Sequence, residues 1–97
     1  MPSLFEITDK SGRIISLSRE RWLHITKEHP RISDLDELRN TLVQPIKINP
    51  SKYDPDVVRY YYSYNKNIKR YLLVAVKYLN GHGFIITAYY LRKIQND

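Results

Sequence analysis

The residues of this sequence best suited to acid–base chemistry are His24 and His29. They lie with Trp22 and Glu28 in the stretch SRERWLHITKEHP, residues 18–30. Histidine suits proton transfer because its reference pKa lies near neutrality. A second set falls in strand-like segments further on: Arg59, Tyr61, Lys77, Thr87 and Tyr89. Arginine and lysine attract phosphate, while threonine and tyrosine hydroxyls can donate hydrogen bonds to its oxygens. Such groups suit RNA cleavage without a metal. A base takes the ribose 2′-hydroxyl proton, and the 2′-oxygen attacks the adjacent phosphorus. An acid then protonates the leaving 5′-oxygen, and cations stabilise charge on the phosphate.

Every one of these residues also has an ordinary structural reading. His24 and Glu28, at i,i+4, make a common helix-surface pair. His29 fits a buried, hydrogen-bonded histidine closing a helix, and His82 a turn residue between two glycines. Thr87, Tyr89 and the tyrosine-rich segment are types that strands favour anyway.

Other chemistries find less support. The chain has no cysteine, which excludes disulfides, thiolate metal sites and a cysteine nucleophile. No HExxH spacing, glycine-rich phosphate loop or serine elbow occurs, so no cofactor or metal is implied. The 97 residues are 42% hydrophobic, enough for one packed domain spanning residues 1–97. No apolar run is long enough to span a membrane, and no signal peptide is evident; a cytoplasmic location is the expectation. The net charge of +6 and the nine tyrosines point to a polyanionic partner, with RNA first.

The elements that must position these groups follow from capping and periodicity. Residues 4–8 and 13–17 alternate around the turn Asp9-Lys10-Ser11-Gly12 and read as a hairpin. Ser18 can cap the first helix, with Glu20 in its first turn, Leu17 and Trp22 at staple spacing, and Pro30 ending it. Trp22, Ile25, Thr26 and His29 then share one side, and Arg21, His24 and Glu28 the other. A second helix, capped by Ser33, carries Leu35, Leu38 and Leu42 at helical spacing and stops at Pro45. Residues 46–49, 57–64, 71–79 and 84–91 read as strands, the last two joined by a tight turn at residues 80–83. The expected fold is α+β, ββααββββ, with two helices on one face of an antiparallel sheet.

Alternation assigns the faces. Leu72, Val74, Val76 and Tyr78 form the set expected to meet the helices, together with Phe84, Ile86, Ala88 and Tyr90. The open face would then present Arg59, Tyr61, Lys77, Thr87 and Tyr89, and a single bulge would invert part of that assignment.

The sequence ERWLHITKEHP, a leucine-rich helix ending in TLVQP, a YYY strand and VAVKYLNGHGFIITAYY together resemble a known group. They resemble the phage-type branch of the superfamily of barnase, EndoU, colicin and RelE-like nucleases (BECR), over about residues 14–94. The most specific parts are Trp22, His24-Ile25, His29-Pro30 and Thr87-Ala88-Tyr89. The resemblance implies helices packed on an antiparallel sheet and a metal-independent endoribonuclease of toxin or effector kind. It carries the catalytic motifs onto His24, His29, Thr87 and Tyr89, and Arg59 and Lys77 match it only as basic residues on the expected strands; with Tyr61, which alternation puts on the same open face, they are the expected substrate-binding residues. The alternatives are a non-catalytic nucleic-acid-binding module, or a protein-interaction domain that pairs with an inhibitor or antitoxin.

Overall fold

The computed structural model describes residues 3–9 and 11–94; Lys10, part of the expected first turn, lies outside them. In chain order the elements are β1 (Ser3–Thr8), β2 (Ile14–Ser18), α1 (Arg19–Glu28), α2 (Leu35–Val43), β3 (Lys47–Pro50), β4 (Val58–Asn65), β5 (Arg70–Leu79) and β6 (His82–Leu91). This is the expected α+β order. No described helix is long and apolar enough to cross a membrane.

The strands form one six-stranded sheet in the order β1-β2-β6-β5-β4-β3. Four neighbouring pairs are antiparallel, but β2 runs parallel to β6 through Ile14–His82, Ile15–Gly83 and Ser16–Phe84. The sheet is therefore mixed rather than wholly antiparallel. The two helices between β2 and the meander act as the crossover that brings the parallel neighbour into place.

The main core lies between the helices and one sheet face. Ile25, Leu38 and Leu42 from the helices meet Ile15, Leu17, Leu72, Val74, Val76, Ile85 and Ala88 from the strands. Each fully buried aliphatic side chain contributes roughly 1.5–3 kcal/mol. Leu17 and Trp22 join the same cluster, as their staple spacing predicts. The cap of α2 is Asp34 rather than Ser33. Asp34 has the extended backbone, and its carboxylate accepts from the Asp36 amide at 2.9 Å.

Two features of the meander fix which side chains share a face. Leu79 and His82 pair directly, so Asn80 and Gly81 alone make the β5–β6 turn, with φ of +53° and +79°. Those angles suit the asparagine–glycine pair of a tight hairpin. Further along, Ala75 pairs with Thr87 but Val76 pairs with Ile85, which leaves Ile86 as a bulge. The bulge reverses the expected faces of β6 before Ile86. Ile85 enters the main core, whereas Phe84 faces away and Ile86 packs in a smaller cluster with Tyr62, Leu73, Ala75 and Tyr89 on the opposite face. Ala88 and Tyr90 keep their expected side.

The face assignment of β4 is also corrected. Arg59 pairs with Val76 and Tyr61 with Val74, so both project to the helix-covered side, and Tyr61 is buried. Tyr60, Tyr62 and Tyr64 occupy the other face. Pairing register decides this: a strand's faces are set by its neighbour, and β5's apolar set brings Arg59 and Tyr61 with it.

Candidate functional site

At one end of the sheet, His29 meets Tyr89. The local sequence explains the meeting. Ser18 ends β2 and caps α1, its Oγ accepting from the Arg21 amide at 3.1 Å, so strand passes into helix without a loop. Pairing of β2 with β6 stops at Phe84, and α1 packs along β6 instead. Pro30 ends the helix, and the His29 amide donates to the Ile25 carbonyl at 2.8 Å. That puts the His29 ring 5.5 Å from the Tyr89 ring, centroid to centroid, tilted by 31°.

Around the two rings opens a cleft of about 340 Å³, lined also by Glu28, Pro30, Arg31, Arg70 and Tyr90. Neither ring nitrogen of His29 has a hydrogen-bond partner among the described residues, and His29 is half-buried rather than buried. Arg31 is exposed and unpaired among those residues; Arg70 gives one N–H to the Lys69 carbonyl at 2.9 Å. Neither guanidinium is paired with a carboxylate among them. Burial, helped by the nearby Tyr60, raises the Tyr89 pKa, so its hydroxyl stays a donor. Tyr90 is pushed up to about 12 by burial and by its bond to Glu37. Glu37 also accepts from Asn65 Nδ2 at 3.0 Å, which ties α2 to the same end of the sheet.

The remaining expected site residues disperse. His24 Nε2 lies 3.2 Å from Glu28 Oε1, both side chains more than half exposed, in a separate concavity with Ser18, Glu20 and Arg21. It sits five residues before His29, about 7.5 Å along the helix axis. Thr87 and Lys77 do share the open face with Tyr89. Thr87 pairs with Ala75 beside the small cluster, while Lys77 pairs with Phe84. Since Tyr89 pairs with Leu73, Lys77 is four positions away, roughly 13 Å along the strand. Of the expected groups, His29 and Tyr89 are the ones the fold brings into contact.

Arg59 and Tyr61 belong to a different site, at the opposite end of the sheet on the helix side. Asp9 organises it. Its carboxylate accepts from the amides of Ser11 and Arg13 at 2.9 Å, from Ser11 Oγ at 2.6 Å and from Tyr78 Oη at 3.0 Å. Tyr78 Oη lies 2.5 Å from Tyr61 Oη, and the Arg13 guanidinium sits 3.9 Å above the Tyr78 ring. Burial pushes the Asp9 carboxyl up, but these hydrogen bonds outweigh it and hold the pKa below its ordinary value. Burial, then the bonds to Tyr61 and Asp9, raise Tyr78 well above the phenol range.

His82 is not a bare turn residue. It opens β6, its Nε2 lies 3.2 Å from Ser16 Oγ, and its ring lies 4.6 Å from that of Phe84. Among the described residues no group of three or more His, Asp or Glu could hold a metal ion.

Sequence reasoning missed Arg31, Arg70, Asp9, Arg13 and Tyr78 as site residues. Arg31 follows His29-Pro30 directly and so was within reach. Arg70 becomes visible only through the pairing of Tyr71 with Leu91, which sets it beside the end of β6. No protein-family model, curated protein or solved structure matches the chain.

Proposed function

We propose that the protein is a metal-independent endoribonuclease whose site is the His29–Tyr89 cleft. The observation that carries this reading is a histidine without a hydrogen-bond partner among the described residues, its ring against a tyrosine ring, in a cleft shared with two guanidiniums that have no carboxylate partner among them. In this site His29 takes the 2′-hydroxyl proton. Once protonated, it returns that proton to the leaving 5′-oxygen, so one imidazole serves both halves of the reaction. Arg31 and Arg70 hold the phosphate and stabilise its added charge, and Tyr89 gives a hydrogen bond or a stacking face. The sequence resemblance to the BECR nucleases points the same way.

A second reading is a nucleic-acid-binding module that cuts nothing. Its support is that only one histidine lines the cleft, with His24 in a concavity of its own. The deciding experiment is RNA cleavage in EDTA by the native chain, His29→Ala and Tyr89→Phe. The nuclease reading expects EDTA-resistant cleavage with 2′,3′-cyclic phosphate ends, reduced about 10²–10⁴-fold in His29→Ala. Intact RNA, bound with steep salt dependence, would establish the binding module instead.

A further inference from the structure

The pocket at the far end of the sheet has the features of a built ligand site. Its cavity is about 170 Å³, lined by the polar side chains of Asp9, Arg13, Arg59 and Tyr61 together with the apolar ones of Leu42, Pro45 and Ile48. Arg59 is half-buried, yet its guanidinium has no hydrogen-bond or ion-pair partner among the described residues. Arg13 is the opposite case, its Nε 3.6 Å from the Asp9 carboxylate. A partly desolvated, unpaired guanidinium in a cavity with apolar lining is a receptor for a planar or tetrahedral anion.

The hydrogen-bond directions specify more. Tyr78 gives its only hydroxyl proton to ionised Asp9, so the Tyr61–Tyr78 bond must use the proton of Tyr61. Tyr61 Oη is left as an acceptor, and a ligand group beside it must be a donor. Size sets the last limit, because a cavity near 150 Å³ accommodates a benzene-sized ring. We propose that this pocket binds a small organic anion: a carboxylate or phosphomonoester held by Arg59, on a body of about one ring carrying a hydroxyl or amino donor for Tyr61.

The site lies apart from the His29–Tyr89 cleft, so it can be tested separately. Amide and arginine side-chain NMR shifts would be followed while titrating 4-hydroxybenzoate and 4-hydroxyphenyl phosphate, each against its neutral counterpart, 4-hydroxybenzamide and hydroquinone. The expected result is millimolar or tighter binding of at least one anion, with shifts centred on Arg59 and Tyr61. The arm that binds identifies the carboxylate or the phosphomonoester as the ligand. Arg59→Gln should weaken it about tenfold or more, while Arg59→Lys retains part of it. His29→Ala should leave it unchanged; anion binding lost in that variant would assign the signal to the other cleft and overturn the proposal. Equal binding of the neutral counterparts, or no shift at Arg59 with either anion, would overturn it too. A native-like spectrum of Arg59→Gln separates lost binding from lost folding.

Discussion

The two ends of the sheet are built on opposite plans. At the hairpin end, polar groups satisfy one another. Asp9 accepts four hydrogen bonds, Tyr78 relays Tyr61 to it, and Arg13 is both paired and stacked. At the α1 end, His29 and Arg31 have no polar side-chain partner among the described residues, and Arg70 uses one N–H on a backbone carbonyl. A closed network holds a shape; open donors and acceptors are available to a substrate. The hairpin end is therefore built mainly for stability, although the Arg59 guanidinium there has no partner among the described residues, and the α1 end is where the proposed chemistry would take place.

The largest expected effect is a double dissociation between the ends. His29→Ala should abolish most RNA cleavage yet leave the unfolding midpoint within the range of surface substitutions, about ±0.5 kcal/mol. Asp9→Asn should do the reverse, costing about 2–3 kcal/mol because Tyr78 and two amides lose an ionised acceptor, with cleavage by the folded fraction retained. Its acid dependence has a definite sign. The Asp9 pKa is depressed in the folded chain, so its contribution is present above the ordinary carboxylate value of 3.8 and disappears as pH falls through the lower folded value. Urea unfolding between pH 2 and 6 should show this acid loss in the native chain and a flatter profile in Asp9→Asn. Equal loss of activity and stability in both variants would erase the distinction.

Gly83→Ala sharpens the same comparison at an intermediate size. A Cβ there would lie 2.9 Å from Tyr78 Cε1 and 3.0 Å from side-chain carbons of Ile15 and Val76. Those neighbours are core side chains on the two flanking strands, β2 and β5, and Tyr78 is also tied to Asp9, so little can give. Destabilisation of about 1–3 kcal/mol is expected by thermal or urea unfolding, with no direct effect on the distant cleft.

Local signals in the sequence located the elements well. Ser18, Pro30 and Pro45 mark boundaries by backbone chemistry that neighbours do not override, and each falls where it was read; the turn read over residues 80–83 tightens to Asn80-Gly81, so that β6 already begins at His82. Faces were harder. The apolar set of β5 fixed its own orientation, but Arg59 and Tyr61 went to the helix side because of a register that alternation within β4 cannot reveal. The Ile86 bulge likewise moved Phe84 out of the core and Ile85 into it. The parallel β2–β6 pair left no local trace at all. Alternation held on β5 and the end of β6, where Lys77, Thr87 and Tyr89 share the expected open face, and failed on β4, whose orientation its own residue pattern does not set.

Tyr90→Phe probes the α1 end as structure rather than chemistry. Tyr90 ties β6 to α2 through Glu37, and its pKa of about 12 lies above the ordinary 10.0. The bond contributes fully below pH 10; stability falls as pH rises from there and the contribution is gone above about 12. An alkaline unfolding series should show that decline in the native chain and lose part of it in Tyr90→Phe. At neutral pH the cost should be about 0.5–1.5 kcal/mol.

The smallest effect belongs to His24, and it bears on the comparison because His24 and His29 share one helix. His24 is paired to Glu28 with both side chains largely in water, where such pairs contribute little. Its concavity contains no residue of β6, so the proposed site at the helix end gives it no role. His24→Ala should leave folding stability within about 0.5 kcal/mol and cleavage within about twofold. A loss approaching that of His29→Ala would mean that substrate runs along α1 to both histidines. The site would then be a groove along the helix, and the acid and base of the reaction would be two residues instead of one.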